Sequence, residues 1–231
     1  MITYRMMDAS CPLPTCLHKG SLSLAYVVTE PAYVETVSDI PTGSVARTLR
    51  AISDRYGACG VLAIDGEMAV GKIRAFPQAI LDRMDLCLQE PQYVRPLLAL
   101  DLAALPSREE SPVLHLLCIQ VAGAYAGRGI AGGMLDALLA WARAEGWREA
   151  RANAVSNIPP LLNWCGQLSR GALEHRGFTV TRGALSPPLR EGVVSQRAGA
   201  HGEAVKRQWE PFVHLSDDEA GTMFEMTLNL S

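Results

Sequence analysis

The sequence predicts an α/β fold, a central sheet flanked by helices, and three stretches of chain carry that prediction. Residues 59–64 and 67–75 are strand-like runs joined by Asp65-Gly66, a pair suited to the positive φ values of a tight hairpin. Residues 112–121 (PVLHLLCIQV) form an almost continuous apolar run, as in a strand buried on both faces, and lead through a glycine-rich turn into a periodic helix. The chain closes on MFEMTLNL, whose alternation marks a last strand.

The elements between follow in order. A helix is expected over 44–55, where Val45, Leu49 and Ile52 recur at helical spacing, with Gly57 placed to end it. Between 77 and 111, Ile80, Met84 and Leu88 keep that spacing while Pro91, Pro96 and Pro106 break it, which reads as helix plus loop. Past the glycine turn, Ile130, Met134, Leu138 and Trp141 share one helix face, and Gly146 stops it. Residues 149–156 alternate Ala150, Ala152 and Ala154 with Arg151 and Asn153, a further strand; strand, helix, strand is a right-handed parallel crossover by default. Another helix is expected over 160–175 and a strand over 178–182. Residues 183–221 are poor in periodicity and read as an insertion. The organisation expected is an N-terminal extension, 1–43, packed on a domain at 44–231 that carries an insertion at 183–222.

At 231 residues and 48% hydrophobic, the chain can bury one sizeable core or two small ones, and one domain with elaborations is expected. A formal net charge of -3, without long runs of one sign, gives no electrostatic reason to expect a nucleic acid. The first residues lack a charged leader with an apolar stretch, and no apolar run reaches the roughly 18 residues that span a bilayer, so the expectation is a cytoplasmic protein with no membrane partner. The six cysteines (Cys11, Cys16, Cys59, Cys87, Cys118, Cys165) have no repeating spacing and read mostly as small core residues. Cys11, Cys16 and His18 lack the paired spacing of a zinc module, so no metal is expected.

The chemistry concentrates at AYAGRGIAGGML, residues 124–135. Glycines there let the backbone approach a ligand, and the first turn of the helix aims free N–H groups and its positive dipole end at it. That is an anion site, and phosphate is the usual occupant. Gly127, Gly129 and Gly132 also match the dinucleotide fingerprint, which raises an NAD(P)-binding oxidoreductase as an alternative. Context opposes it: residues 122–126 separate the strand from the glycines, and Ser156-Asn157 stand where an acidic residue should close the next strand.

Ala126, Gly127, Arg128, Gly129, Ile130 and Ala131 resemble the acyl-CoA loop of the GNAT superfamily of N-acetyltransferases, [Q/R]-x-x-G-x-[G/A] after a central strand. The first position departs, Ala126 replacing Gln or Arg, with Arg128 as the side chain able to replace the missing contact. The hairpin at Asp65-Gly66, the stop at Gly146, Ser156-Asn157 and LEHRGF at 173–178 agree with the family, and the resemblance covers roughly 44–182 plus the last strand. It implies a mixed, mainly antiparallel sheet splayed at the loop strand. Acetyl-CoA would be the acyl donor, its pyrophosphate on Ala126, Gly127, Arg128, Gly129, Ile130, Ala131 and Gly132, its pantetheine arm along Ile119, Gln120 and Val121, with Asn157 as a further contact.

The resemblance implies transfer of an acetyl group to a primary amine of a small molecule or peptide by direct attack, with a backbone N–H stabilising the oxyanion. The amine must lose a proton first. His115 stands where the family often places a glutamate, and its pKa range suits a general base near neutrality; a buried neutral histidine bonded to backbone or water is the other account. The family's tyrosine acid is replaced by Leu173, leaving Ser169, Cys165 and Tyr125 as candidate donors, or a thiolate that leaves unassisted. Cys118, three residues from His115, is expected on the opposite strand face and in the core. Trp147, Trp164 and Trp209 read as core anchors before substrate contacts, and Arg170 and Arg176 as solvated helix-face residues before ribose-phosphate contacts. Ala126 and Leu173 keep open a catalytically silent acyl-CoA-binding regulatory module. The acceptor is not readable, and a homodimer through the terminal strand and insertion is open.

Overall fold

The computed structural model describes residues 1–8, 22–23, 42–83, 101–162 and 166–231. The chain divides into two compact units, Met1–Ala150 with Leu230–Ser231, and Arg151–Asn229. The first unit contains β1 (Ile2–Met6), β2 (Leu22–Ser23), α1 (Thr42–Tyr56), β3 (Gly60–Asp65), β4 (Met68–Pro77), the short α2 (Gln78–Leu81), β5 (Val113–Val121) and α3 (Ile130–Ala144). β3 pairs antiparallel with β1 and with β4; β4 pairs antiparallel with β2 and with β5. The hairpin forms where the sequence puts it, one residue further on: Asp65 pairs with Met68, so Gly66-Glu67 make the turn.

β5 is buried from Leu114 to Cys118, as its apolar run demands, and only half-buried at Ile119, Gln120 and Val121. Its register against β4 shifts between Arg74 and Ala75: Ala75 pairs with Leu116 and Arg74 with Cys118, leaving Leu117 as an extra residue on β5. Phe76 and Arg74 are two apart on β4 and share a face, so their partners His115 and Cys118 share it as well. The expectation that His115 and Cys118 point to opposite faces is therefore corrected, because a bulge resets the alternation on which it rests.

The two sheet faces differ in chemistry. On one, Gly71 lets α3 settle close: a Cβ there would sit 3.0 Å from Met134 Cε and 3.2 Å from Ile130 Cγ2. On the other, Lys72 and Arg74 are both fully buried, Arg74 donating to Cys59 Sγ at 3.2 Å. α3 buries Ile130, Met134, Leu135, Leu138, Leu139 and Ala142, the periodic face read from sequence. It ends in a Schellman pattern, Gly146 N–H to Arg143 O and Trp147 N–H to Ala142 O, with Trp147 buried 6.3 Å from the Trp141 ring. Trp147 is thus a core residue.

β6 (Glu149–Val155) leads into the second unit, which holds α4 (Pro159–Leu162), β7 (Leu168–Ser169), α5 (Arg170–Glu174), β8 (Thr179–Leu185), α6 (Pro187–Arg197), α7 (Glu203–Arg207), α8 (Asp217–Ala220) and β9 (Thr222–Asn229). β7 runs parallel to β6, β8 antiparallel to β9, and β9 lies between β6 and β8. The single helix expected over 160–175 is corrected to two. Gly166 adopts φ +68°, Leu168 and Ser169 pair with Ala154 and Val155, and Ser169 Oγ restarts a helix by accepting from Ala172 N–H at 3.2 Å.

Residues 183–221 are more regular than their composition suggests. Ser186 caps α6, Pro187 and Pro188 occupy its first turn, and Leu189 and Val193 pack with Trp209 and Ala220 in a local core. Trp209, 2% exposed, donates to Gln196 and carries the Arg197 guanidinium over its ring at 4.7 Å. It too is a core residue.

Among the described residues no helix is long and apolar enough to cross a membrane, and no group of three or more His, Cys, Asp or Glu could hold a metal. The readings at Cys11, Cys16, His18, Met84, Cys87, Leu88, Trp164 and Cys165 lie outside the described residues.

Gly71→Val is expected to destabilise the protein by about 1–3 kcal/mol, because the new methyls meet Met134, Ile130 and Ala63. The shift of the urea midpoint relative to wild type measures it, and an unchanged midpoint would show that α3 is not seated on Gly71.

Candidate active site

The glycine loop begins where β5 ends. Ala122 N–H bonds Val70 O at 2.8 Å, a single 3₁₀ turn follows over Gly123–Tyr125, and α3 starts at Ile130. Gly127 and Gly129 both adopt φ +75°, a left-handed conformation that other residues reach only with strain, so the sequence is spelled with glycine for a backbone reason. Open space surrounds both, and residues 126–129 are exposed. The first intrahelical bond runs from Gly133 N–H to Gly129 O, so helix geometry leaves Ile130 and Ala131 N–H with no carbonyl one turn before them. At the positive end of a 15-residue helix, such an arrangement favours an anion.

Two tyrosines bind this junction to the neighbouring strands. The Tyr4 side chain of β1 covers Gly133, where a Cβ would collide with its hydroxyl. Tyr125 donates its hydroxyl proton to Asp65 Oδ2 at 3.1 Å, at the end of β3, while the Met1 ammonium meets Asp65 Oδ1 at 3.3 Å. Arg128 lies over the Tyr125 ring, 4.8 Å from its centre. Asp65 and Tyr125 are 60 residues apart, and no linear pattern announces the pair. The bond to Asp65 raises the Tyr125 pKa, with burial and the Asp65 charge adding to it.

His115 lies in the buried stretch of β5, 8% exposed, with Nδ1 3.0 Å from Gln78 Oε1 in α2. With the amide oxygen accepting, Nδ1 carries the proton and Nε2 is the basic nitrogen. Gln78 was not foreseen; it lies 37 residues before its partner, and glutamine at a helix start carries no signal. Cys118 is buried and paired in register with Arg74.

The remaining predicted residues lie in the second unit. Asn157 Oδ1 accepts from Ser169 Oγ at 2.6 Å and from Gly171 N–H at 2.9 Å, so the two are joined to each other and to the start of α5, and the Ser169 hydroxyl serves as its cap. Leu173 is fully buried. Arg170 pairs with Glu174 at 2.7 Å and stacks on Phe224, and Arg176 donates to Ala172 O at 2.8 Å, contacts that suit helix-face arginines.

No family model matches the sequence, and no curated protein does. Among solved structures the chain is similar to an agmatine N-acetyltransferase variant in its apo form, at 16% identity over 99% of this chain and 100% of that one, TM-score 0.50. It is also similar to an N-acetyltransferase of Staphylococcus aureus Mu50 (12% identity, 100% and 99% covered, TM-score 0.48). A third is a GNAT family acetyltransferase of Elizabethkingia anophelis with acetyl-CoA bound (12% identity, 99% and 97% covered, TM-score 0.43). At such identities the likeness is one of fold alone. The chain has the fold of the GNAT acetyltransferases: mixed α/β, with a mainly antiparallel sheet flanked by helices.

The raised Tyr125 pKa has a definite sign. The stability carried by its bond to Asp65 is fully present below the ordinary tyrosine range and is lost as pH rises through the higher folded-state pKa. Ultraviolet difference titration of wild type against Tyr125→Phe should therefore show one phenol titrating above the ordinary range, and Asp65→Ala should bring it down.

Proposed function

We propose that this chain is an N-acetyltransferase that moves an acetyl group from acetyl-CoA to a primary amine by direct attack. The observation that carries the reading is the loop at 126–132: two glycines at φ +75°, exposed and unobstructed, opening a 15-residue helix after β5 and one 3₁₀ turn. The fold supports it, since this is the place where GNAT acetyltransferases hold the donor.

Acetyl-CoA, when bound, supplies the activated acyl group. The N–H groups at the start of α3 and the Arg128 guanidinium hold its pyrophosphate. Ile119, Gln120 and Val121, the half-buried end of β5, offer backbone groups to the amide-bearing arm. His115 receives the proton of the attacking amine on Nε2, directly or through water, with Gln78 orienting the ring through Nδ1. With Leu173 where the family has its acid and Ser169 engaged in capping, the thiolate leaves unassisted, a thiol being acidic enough to depart as the anion.

Thioester consumption with a panel of amines and free-thiol detection tests the reading. Turnover on an amine supports it; tight acetyl-CoA binding with no turnover on any amine would reassign the chain to a binding module, and thermal stabilisation by NAD in place of acetyl-CoA would overturn the coenzyme. Gly129→Glu should weaken coenzyme binding at least about tenfold, since it adds backbone strain and a negative charge at the anion cradle. Calorimetric titration with CoA measures it. His115→Ala should leave CoA binding intact, lower kcat and remove the acid limb of the pH–rate profile; an unchanged profile would sink His115 as base.

A further inference from the structure

Resting on the coenzyme reading above, we propose that Asp65 and Tyr125 are positioning residues that hold Arg128 as a side-chain cation for the donor's pyrophosphate. Arg128 is the only charged residue from Ala122 to Gly132, and Ala126 supplies no polar side chain. An exposed arginine on a glycine-rich turn has many rotamers, and ordering it on binding costs conformational entropy. Here the ordering is done beforehand. The guanidinium rests on the Tyr125 ring at 4.8 Å, and the ring is fixed at its far end by the hydroxyl bond to Asp65 at 3.1 Å.

Asp65 is a rigid post. It closes β3, a strand paired on both sides, by β1 and by β4. The bond thus ties the 3₁₀ turn that precedes the two left-handed glycines to the sheet.

The type of contact matters as much as its place. A carboxylate against Arg128 would order it but neutralise it. Among the described residues Arg128 makes no ion pair within 4.0 Å; it lies against a π face, which leaves its charge unneutralised. The Asp65 carboxylate meets the phenol hydroxyl instead. The arrangement keeps a positioned cation at a helix N-terminus that already favours an anion.

Calorimetric titration with CoA tests the clamp through a set of variants. Arg128→Ala should weaken CoA about tenfold, with a shallower salt dependence than wild type. Tyr125→Leu should cost a similar factor, and in the Arg128→Ala background it should cost almost nothing more, because the two act as one unit. Tyr125→Phe keeps the ring and loses the post, and should weaken CoA about threefold, as should Asp65→Ala; Asp65→Asn keeps an acceptor for the hydroxyl and should restore affinity. In turnover, the loss should fall on the donor KM more than on kcat. Wild-type affinity in Arg128→Ala, or additive losses in the double variant, would overturn the clamp while leaving the coenzyme reading in place. No CoA binding by the wild type would overturn both.

Discussion

The contact between α3 and Gly71 sets the geometry on which the candidate site depends. Because β4 carries no side chain at that point, Ile130 and Met134 can lie against the sheet, and the helix starts low over the strands. Its first turn is reached from the end of β5 through residues 122–129, which include one 3₁₀ turn. Two residues in left-handed backbone turn the corner, and glycine is the residue that does so without strain.

The opposite sheet face follows a different logic. Lys72 and Arg74 are fully buried there, and charge is removed from water only where it is closely partnered. The extra residue at Leu117 brings His115 and Cys118 to this same face. A strand that reads as uniformly apolar thus carries its one basic imidazole onto a face with buried cations, where Gln78 fixes the ring. The candidate base and the anion cradle lie on one strand and its continuation, separated by the half-buried stretch Ile119, Gln120 and Val121.

Much of the fold was legible because its signals are local. The hairpin at Asp65, the buried run of β5, the apolar face of α3 and its stop at Gly146 each declare themselves within one turn or one strand. The helix at 160–175 failed because Gly166 and a short pairing with β6 interrupt a pattern that periodicity alone would continue. The helix at Pro187–Arg197 escapes the sequence pattern because prolines in a first helical turn resemble breakers when the turn itself is not yet known. Tyr125 had been weighed as an acid; its bond to Asp65 spans 60 residues, and only the sheet brings the two ends together.

The sequence by itself determined the α/β class and the place of the loop, since glycine where φ must be positive, and an apolar run before it, are constraints written into neighbouring residues. The tertiary structure decided which face each β5 residue takes, what orients His115, and that Arg128 rests on a ring braced from β3. Those depend on strand register and on pairs far apart in the chain, and a bulge of one residue is enough to change the answer.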